Sequence, residues 1–577
     1  MCVFDVCFVS YCSEKWVDGC LKAFSRVQYD KKKISLYFAD NQSTDGTLNA
    51  LERGKQQYAE QFAGFHILAQ KENRGFGAGS NAAAREGTGE YIFFCNLDTE
   101  IHEDAFFHLE RAIRSAGQDV AAFELRQFPY EHPKCYDPVT MEVSWASGAC
   151  MVVRRDVWEK SGGFDENIFM YAEDVDLSWQ IRALGYRIQY VPAAVITHFC
   201  YESAGQEKPG QVVGSLVGNL FLRQKYGTLH EIEGWEAVRE ILQPKLSANP
   251  DAWALYRRCL ADTKKQRRYY RHFYETHIQP TSFRPQFIGT EYEEARGGAF
   301  FCCRKPKQTP LVTVLVQQMP VPRLAETLEN LTHQTYQHFQ VLLPCSMQAQ
   351  AYRTPIEQFQ QKLKLGFSCA DRLSDMVQEL DTEYFCCLSG ELLFAEHLET
   401  VACAMEETPD YRCYTTDYRY FSEGEKRWID SFYAPQAGRA AQFFCTPPYP
   451  LGAVMFRQGA MSAAHMAALE QGDATRLWAL ILSGEKAFVH CAKTTVLCPM
   501  RDEEKLRQMQ HETALRASVN EILTSAMWRV YTPVRLMLRG ALPQPVDAQK
   551  DSVQVLEAFV QDVQASRCWN AVKKLRK

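Results

Sequence analysis

Three carboxylates stand within four positions of the chain, at Glu173, Asp174 and Asp176, where the stretch 172–179 predicts the start of a helix. Favourable placement of acidic groups at the positive end of a helix would account for any one of them. Three so close together repel one another, and such crowding raises the pKa of a carboxyl group toward the range of a general base. This helix start is therefore a candidate site for removing a proton from a hydroxyl group.

A second pair of oxygen-bearing side chains ends the apolar run Tyr91 to Cys95, which is followed by Asn96, Leu97 and Asp98. Side chains two residues apart in an extended chain point to the same side, so Asn96 and Asp98 can address one ligand. Amide and carboxylate oxygens suit a hard cation such as Mg²⁺ or Mn²⁺, which would bridge to the phosphates of a substrate. Asn-x-Asp is common at strand ends and does not identify an activity by itself.

Asp40 follows the apolar run Ile34 to Ala39 and opens a polar segment that extends to Thr47. A carboxylate at a strand tip, followed by a turn and a helix start, can bind a ligand. Asp and Asn also serve as turn and capping residues, so both interpretations remain open at this point.

A glycine-rich segment leads into a predicted helix at Asn73, Arg74, Gly75, Phe76 and Gly77. Backbone amides at such a helix entry could approach a phosphate group. A dinucleotide-binding loop is excluded for two reasons, since its third glycine would fall on a serine and since the motif belongs after the first strand, where the sequence has no glycine.

The elements that would position these residues alternate between short β-type runs and amphipathic helical stretches. This alternation predicts an α/β fold with a parallel sheet, in which ligands bind beyond the carboxyl ends of the strands. The predicted strands are Val3–Ser10, Ile34–Ala39, Phe65–Ala69 and Tyr91–Cys95.

Composition limits the class of protein. The chain has 577 residues, equivalent to roughly three to four domains. With 46% hydrophobic and 23% charged residues and a net charge of −6, it is predicted to be globular, with no general attraction for nucleic acid. No apolar stretch is long enough to span a membrane and no leader pattern is present, so we expect a cytoplasmic protein. The 21 cysteines include no Cys-x-x-Cys pair, which favours reduced core thiols over zinc ligands or disulfides.

Taken together, the order of these segments resembles family 2 glycosyltransferases with the GT-A nucleotide-sugar fold, most closely the rhamnosyltransferase-like members that build bacterial surface polysaccharides. The resemblance extends from Phe4 to Gly227. It implies that Asp40 contacts the nucleoside base and that Asn73 and Gly75 lie beside the nucleotide. Asn96 replaces the first carboxylate of the D-x-D motif, so that one carboxylate, Asp98, remains for Mg²⁺ or Mn²⁺.

The same resemblance makes Asp174 the catalytic base, places Glu173 in the nucleotide-sugar site, and suggests His198 as a further metal or diphosphate ligand. A lone histidine after a strand is otherwise most often structural. The implied reaction is a single displacement with inversion, in which a carboxylate accepts the proton of the attacking hydroxyl while a cation neutralises the departing diphosphate. The resemblance favours dTDP-rhamnose as the donor, with UDP-hexoses including UDP-galactofuranose as alternatives, and a saccharide or lipid-linked saccharide as the acceptor.

The second half of the chain again resembles the opening of this family. The predicted strand Leu311–Gln317, helix Arg323–Gln334 and strand Phe339–Leu343 repeat the α/β alternation. Most of the candidate functional residues are replaced there. Cys345 falls near the position of Asp40, Ser389-Gly390-Glu391 replaces Asn96-Leu97-Asp98, Gly472-Asp473 replaces Glu173-Asp174, and Leu497 or Cys498 falls near the position of His198. The second domain is thus predicted to be a degenerate copy.

We therefore expect two tandem GT-A (Rossmann-like) domains. The expected segments are a catalytic domain at 1–230, a charged helical linker at 231–306, a degenerate domain at 307–502 and a helical tail at 503–577. The tail segment Ser525–Arg539 mixes apolar residues with three arginines. A helix that packs its apolar side on the neighbouring domain is the favoured explanation, and peripheral contact with the inner membrane face is the functional alternative.

Two alternatives to a transferase with a single working site remain open. The chain could be bifunctional, with Glu391 and Asp473 serving a second donor. It could instead be an inactive scaffold that binds a polysaccharide intermediate or partner enzymes, although the set Asp40, Asn73, Asp98 and Asp174 argues against this.

Overall fold

The fold is taken from a computed structural model of the chain. It describes residues 1–131, 136–200, 202, 208–227, 232, 234–235, 239–240, 243–244, 246–265, 269–270, 285, 301–302, 305–422, 427–432, 449–471, 474–483, 486–500, 511, 515, 519, 522–523, 546 and 552–566. Contacts divide the chain into two compact units. Unit 1 comprises Met1–Thr309, Ala325–Gln337 and Leu393–Cys403, and unit 2 comprises Pro310–Leu324, His338–Leu392 and Ala404–Lys577.

Unit 1 contains a nine-stranded mixed sheet with helices between its strands. Its strands are β1 (Phe4–Ser10), β2 (Ile34–Asp40), β3 (Gly64–Ala69), β4 (Tyr91–Asn96), β5 (Thr99–Ile101), β6 (Val120–Phe128), β8 (Glu142–Val143), β9 (Cys150–Arg154) and β10 (Arg187–His198), while β7 (Tyr130–Glu131) pairs with β11 (Phe301–Cys302). Its helices are α1 (Glu14–Ser25), α2 (Thr47–Tyr58), α3 (Phe76–Glu86), α4 (Ala105–Ser115), α5 (Arg155–Ser161), α6 (Glu173–Ala183), α7 (Pro209–Tyr226) and α8 (Pro250–Lys265).

The sheet order is β3-β2-β1-β4-β9-β6-β10-β5, with β8 beside β10. The first four strands are parallel, as predicted, but β9 runs antiparallel to both β4 and β6, so the sheet is mixed. The strand order reverses between β1 and β4, which creates a crevice at their carboxyl ends. Asp40 ends β2 and Asp98 follows β4, the two strands that flank β1.

The central strand β1 is nearly continuous in apolar residues because helices cover both faces of a parallel sheet. Its register pairs Ser10 with Asp40 and Val9 with Asn96. A core cluster that includes the buried side chains of Phe4, Phe8 and Phe93 fixes these strands. The ends of β1, β2 and β4 are thereby held side by side.

A second nine-stranded sheet repeats the same order with residues of the second half of the chain. Its order is β14-β13-β12-β15-β19-β17-β20-β16, with β18 beside β17. The strands are β12 (Val312–Val316), β13 (Phe339–Leu343), β14 (Leu365–Phe367), β15 (Tyr384–Leu388), β16 (Leu392–Leu393), β17 (Cys413–Ser422), β18 (Arg427–Phe432), β19 (Val454–Arg457) and β20 (Phe488–Met500). Helices in this half and beyond are α9 (Val321–Thr332), α10 (Arg353–Phe359), α11 (Leu373–Gln378), α12 (His397–Glu407), α13 (Ala463–Glu470), α14 (Ala474–Leu482) and α15 (Val553–Ala565).

The repeated order confirms the predicted fold class, an α/β chain with two tandem Rossmann-like sheets. Residues predicted to form a linker contribute to the core of unit 1, where Tyr256 of α8 belongs to the same buried cluster as Leu216 and Leu220 of α7. Tyr270 is also buried and contacts Phe221 edge-on. Much of the predicted charged linker lies outside the described residues, as does the tail segment Ser525–Arg539. Within the described residues, no helix combines the length and the apolarity that crossing a membrane requires.

Candidate active site

Asp40 ends β2 and is almost completely buried. Its Oδ1 accepts hydrogen bonds from Ser10 Oγ at 2.8 Å and Ser43 Oγ at 2.6 Å, and its Oδ2 accepts one from the Ser43 backbone N–H at 2.9 Å. The Cys12 N–H donates to Ser43 Oγ at 2.9 Å, so the turns after β1 and β2 form one bonded unit. Cys12 and Gln42 hold left-handed conformations in these turns, a strained backbone that functional sites often use. Asp40 thus fixes the turns after β1 and β2, where its contact with the nucleoside is predicted.

The glycine-rich loop approaches the chain before α6 very closely. Gly75 has φ +91°, and a Cβ there would lie 2.0 Å from the Phe169 carbonyl oxygen, so only glycine fits. Asn73 Oδ1 accepts the Gly75 N–H at 3.0 Å, and the Phe169 carbonyl accepts the Phe76 N–H at 3.0 Å. These two amides are bonded within the protein, so Asn73 and Gly75 hold the loop against residues 164–172. Their position beside the nucleotide stays a prediction.

Asp98 and His198 meet at the junction of β4, β5 and β10. The antiparallel pairing of β10 with β5 sets His198 opposite Thr99 and brings its Nε2 to 3.4 Å from Asp98 Oδ1. His198 Nδ1 lies 2.7 Å from Gln127 Oε1, a carbonyl oxygen that accepts its N–H. This contact leaves Nε2 as the ring nitrogen that faces Asp98, and it is buried without a hydrogen-bond partner among the described residues.

The charge of Asp98 is favoured by its surroundings. Burial by itself would raise the pKa of Asp98, but the neighbouring His198 and, more weakly, Lys208 outweigh burial and hold the pKa below its ordinary value. The side chain of Asp98 is 28% exposed, against 8% for His198, so the carboxylate can reach a ligand from the crevice. An ionised carboxylate and an imidazole nitrogen that meet at one point are a donor set for a divalent cation.

Asp98 and His198 could supply two of the ligands of the predicted Mg²⁺ or Mn²⁺. The orphaned Nε2 of His198 would gain the partner it lacks, and substrate phosphates and water would complete the coordination, as is usual for Mg²⁺. Across the described part of the chain, no group of three or more His, Cys, Asp or Glu side chains is arranged to hold a metal ion. Asn96, the other predicted ligand-side residue, ends β4 and donates its backbone N–H to the Ala149 carbonyl at 3.2 Å.

Asp174 lies in the first turn of α6, as predicted, and is nearly buried. Its Oδ2 accepts the Gly148 N–H at 3.1 Å and its Oδ1 accepts the Val175 N–H at 2.9 Å. Glu173 is equally buried, and a Cβ at Gly77 of the glycine-rich loop would lie 3.7 Å from Glu173 Cβ. The structure therefore brings Glu173 to the glycine-rich loop and Asp174 to the turn before β9.

Asp176 is separated from the other two carboxylates. It is fully buried, and its carboxylate accepts hydrogen bonds from Lys225 Nζ at 2.8 Å, Tyr226 Oη at 2.7 Å and Gln180 Nε2 at 2.8 Å. Burial by itself would lower the pKa of Lys225, but Asp176 and then Asp165 outweigh burial and hold the pKa above its ordinary value. The expectation of three mutually repelling carboxylates is wrong for Asp176, because a buried lysine neutralises it.

Several site residues carried no signal in the sequence. Gln127 orients His198 from the second-last position of β6, and Gly148 donates to Asp174 from a turn. Phe199 donates its backbone N–H to the Asp98 carbonyl at 2.9 Å, while its ring stacks on Trp16 at 5.5 Å. These contacts join residues far apart in the chain, which periodicity and short motifs do not connect.

The described residues at the corresponding positions of the second sheet lack this arrangement. Glu391 turns back on its own segment, accepting the Ser389 N–H at 2.7 Å and Ser389 Oγ at 3.1 Å. Cys345 follows β13, and the Asp371 carboxylate beside it raises the pKa of the Cys345 thiol. Leu497 is buried in β20. Gly472 and Asp473 lie outside the described residues.

The comparisons agree with the predicted resemblance over the first part of the chain. Residues 5–164 match the model of glycosyl transferase family 2, and residues 121–211 match the model of glycosyltransferase like family 2. A curated relative, the N-acetylglucosaminyl-diphospho-decaprenol L-rhamnosyltransferase of Mycobacterium tuberculosis, is 42% identical over 71 residues, which are 12% of this chain and 23% of that protein. The chain thus matches less than a quarter of the length of this relative.

A second relative is the rhamnosyltransferase WbbL of Escherichia coli strain K12, which is 25% identical over 181 residues, covering 25% of this chain and 68% of that protein. Among solved structures, the mannosyltransferase PcManGT from Pyrobaculum calidifontis, in complex with GDP-Man and Mn²⁺, is 18% identical. That alignment covers 47% of this chain and 84% of that chain, with a TM-score of 0.33.

Proposed function

We propose that residues 5–211, which match the models of glycosyl transferase family 2 and glycosyltransferase like family 2, transfer a sugar, with inversion, from a nucleoside diphosphate donor to a hydroxyl group of a saccharide acceptor. In this proposal Asp174 is the catalytic base, and Asp98 and His198 hold the cation. Asp40, Asn73, Gly75, Asn96 and Glu173 line the nucleotide-sugar site.

One observation carries the proposal. The Gly148 N–H donates to Asp174 Oδ2 at 3.1 Å, and the adjacent Ala149 carbonyl accepts the Asn96 N–H at 3.2 Å. Two consecutive residues therefore join the proposed base to the strand that ends at the proposed cation site. A base and a diphosphate-binding group must flank a single anomeric carbon, and this connection supports a common site at the crevice between β1 and β4.

The proposed chemistry needs one base and one group that stabilises the leaving diphosphate. The acceptor oxygen attacks the anomeric carbon and forms the new glycosidic bond, while its proton passes to a carboxylate oxygen of Asp174. The bond from the anomeric carbon to the diphosphate oxygen breaks, and the leaving group takes the electron pair. Attack opposite the leaving group inverts the anomeric centre. Asp174 is held in place for this proton transfer by its burial and by two hydrogen bonds that it accepts from backbone amides.

A bound Mg²⁺ or Mn²⁺ would supply positive charge for the departing diphosphate. Asp98 would hold it with an ionised carboxylate, and His198 would hold it with Nε2, because Gln127 occupies Nδ1. Asn96 contributes no charge, so Asp98 and the substrate must supply the anionic ligands. Lys208, which favours the ionised form of Asp98, would add positive charge near the leaving group.

The proposed identities of the donor and the acceptor are based on the family resemblance and on the names of relatives. Two relatives are named as rhamnosyltransferases, and one name specifies a diphospho-decaprenol carrier. We therefore favour dTDP-rhamnose as the donor, with UDP-sugars including UDP-galactofuranose as alternatives. A lipid-linked saccharide of bacterial surface polysaccharide assembly is the favoured acceptor.

We assign the working site to a catalytic domain at 1–230, followed by a linker at 231–306, a degenerate domain at 307–502 and a tail at 503–577. A cytoplasmic protein whose basic tail contacts the inner membrane face would meet a lipid-linked acceptor. Co-sedimentation with anionic vesicles tests this placement. The full chain should sediment at low salt, whereas a chain ending before Glu521 should not, and equal sedimentation would remove the tail from membrane contact.

The test of function is a screen of dTDP-rhamnose, UDP-galactofuranose and UDP-glucose by thermal shift, with and without Mn²⁺, followed by release of nucleoside diphosphate. A donor at a hundred times its dissociation constant should stabilise the protein by about 2.7 kcal/mol. Release that is Mn²⁺-dependent and lost in Asp174→Asn supports a transferase. Donor binding by the wild-type chain without any release, in the presence of saccharide acceptors, would support the scaffold alternative.

A further inference from the structure

Helix α7 holds both ends of the loop 165–172, which leads into the proposed base. Lys225, near the end of α7, is 1% exposed and donates from Nζ to Asp165 Oδ2 at 3.1 Å and to the Asp176 carboxylate at 2.8 Å. Asp165 opens the loop, and Asp176 lies two residues beyond Asp174. One buried ammonium group therefore joins the residue that begins the loop to the helix that carries the base.

The same helix supports the loop at a second point. Tyr171 packs on Gly214 of α7 so closely that a Cβ at Gly214 would lie 2.1 Å from Tyr171 Cδ2 and 2.6 Å from Tyr171 Cβ. Tyr171 and Ala172, the two residues before α6, have φ of +70° and +72°. Residues other than glycine rarely adopt this left-handed backbone conformation, which persists only when the surrounding structure enforces it. The contact with Gly214 is part of that enforcement.

The catalytic mechanism uses neither Lys225 nor Gly214. A lysine, two aspartates and a tyrosine hydroxyl are nevertheless buried together beside the base, and burying charges stabilises a fold less than apolar packing of the same volume would. Such a network defines geometry, because each of its hydrogen bonds has a fixed direction. Its two carboxylates lie on either side of the segment whose conformation directs Asp174.

We propose that Lys225 and Gly214 are positioning residues for the base, holding the loop 165–172 and the first turn of α6 so that the Asp174 carboxylate faces the anomeric carbon. This inference rests on the proposed role of Asp174. A catalytic group displaced by about 1 Å can lose about a hundredfold in rate without loss of substrate binding. Disturbing α7 at these two residues should therefore reduce turnover much more than donor affinity.

The main test is Gly214→Ala, with Gly210→Ala as its matched control. Both glycines lie in α7, one turn apart, and alanine at either favours the helix by about 1 kcal/mol. A Cβ at Gly210 would have no described atom within 4 Å, whereas a Cβ at Gly214 must displace Tyr171. Any difference between the two variants therefore reports the displacement of Tyr171.

Three quantities are measured with dTDP-rhamnose and UDP-galactofuranose in the presence of Mn²⁺: the donor dissociation constant, the turnover for nucleoside diphosphate release to water, and amide hydrogen exchange across residues 165–176. We expect Gly214→Ala to keep donor affinity within about twofold, to lose about 10- to 100-fold in turnover and to exchange faster at 165–172. Gly210→Ala should match the wild type in all three. Equal turnover in the two variants, or a parallel loss of affinity and turnover in Gly214→Ala, would overturn the positioning role.

Lys225→Met removes the charge and is the second variant, since it leaves two buried carboxylates unpaired. It should show the same separation of turnover from affinity, and Lys225→Arg should restore part of the turnover. Asp174→Asn, measured alongside, tests the proposed function itself. Wild-type turnover in Asp174→Asn would contradict that function and the positioning role with it, whereas loss of turnover in Asp174→Asn together with normal turnover in Gly214→Ala and Lys225→Met would overturn the positioning role alone.

Discussion

His198 Nε2 lies 3.4 Å from Asp98 Oδ1, and the gap between them is not closed by a hydrogen bond. The Gln127 side chain occupies the other ring nitrogen, so that Nε2 is the nitrogen that faces the carboxylate. A buried polar atom without a partner costs about 1–3 kcal/mol, so such an arrangement is retained where a ligand completes it. The relationship between these two residues supports a cation site at the end of β4.

Asp98→Ala should remove metal-dependent donor turnover. The variant deletes the ionised oxygen ligand and leaves His198, so the site loses several kcal/mol of charge stabilisation and nucleoside diphosphate release should fall by at least about a hundredfold. The measurement is release at saturating Mn²⁺, together with the effect of Mn²⁺ on nucleotide binding. Asp18→Ala, at an exposed position of α1, is the matched control. Near-normal release by folded Asp98→Ala would refute the assignment.

Asp174→Asn separates chemistry from binding. The substitution preserves the size of the side chain and removes its ability to accept a proton, so transfer to acceptor should fall by roughly two to four orders of magnitude while donor affinity persists. Calorimetry gives the affinity and product release gives the rate. If affinity collapsed while turnover persisted, Asp174 would be a binding residue. Glu173 would then be the remaining candidate base of this helix, because Asp176 is bonded to Lys225.

The fold and part of the site could be predicted because their signals are local. The predicted strands of the first half end within one residue of β1, β2, β3 and β4, and each is a short run rich in apolar residues. The same is true of the strand predicted at Phe339–Leu343. Such a run can be recognised from consecutive residues alone. The antiparallel insertion of β9 was not predicted, because strand direction is set by contacts distant in sequence.

The remaining site residues depend on distant contacts. Asp174 and Asp176 stand two residues apart, which is about 200° around a helix, so that helical geometry alone separates their side chains. The partner of Asp176 could not be predicted, since Lys225 follows it by about fifty residues on another helix. Gln127 is likewise a polar residue within a strand, and only the pairing of β6 with β10 explains its position beside His198.

The stability of the protein should decline in mild acid through His397. This side chain is fully buried, and burial lowers its pKa to about 4, so the folded state keeps it neutral. The unfolded chain binds a proton below about pH 6.5, and the stability that is fully present above that pH is lost progressively as the pH falls toward 4. The loss at pH 5 is about 2 kcal/mol.

The measurement for His397 is the urea-unfolding midpoint at pH 7.5 and at pH 5. His397→Gln cannot titrate, so its midpoint should change less between the two pH values than that of the wild type. His66→Gln, which alters an exposed histidine, should keep the wild-type dependence. An unchanged pH dependence in His397→Gln would show that His397 is not the group responsible.

The second sheet should not support a second transfer. Glu391 accepts two hydrogen bonds from Ser389 within its own turn, and a Cβ at Gly452 would lie 2.9 Å from Glu391 Cβ, which leaves little space for a ligand. Cys345 and Leu497 provide neither a carboxylate nor an imidazole. The variant Glu391→Gln with Asp473→Asn should therefore keep wild-type donor turnover.

Calorimetry distinguishes this outcome from the bifunctional alternative. The wild-type chain should bind one nucleotide sugar, and Asp98→Ala should remove the Mn²⁺-dependent part of that binding. A second site that persists in Asp98→Ala and disappears when Glu391 and Asp473 are changed together would establish a working second domain. Binding to one site, unaffected by the double change, would instead assign donor chemistry to the first sheet, where Asp98 and His198 meet beyond the end of β4.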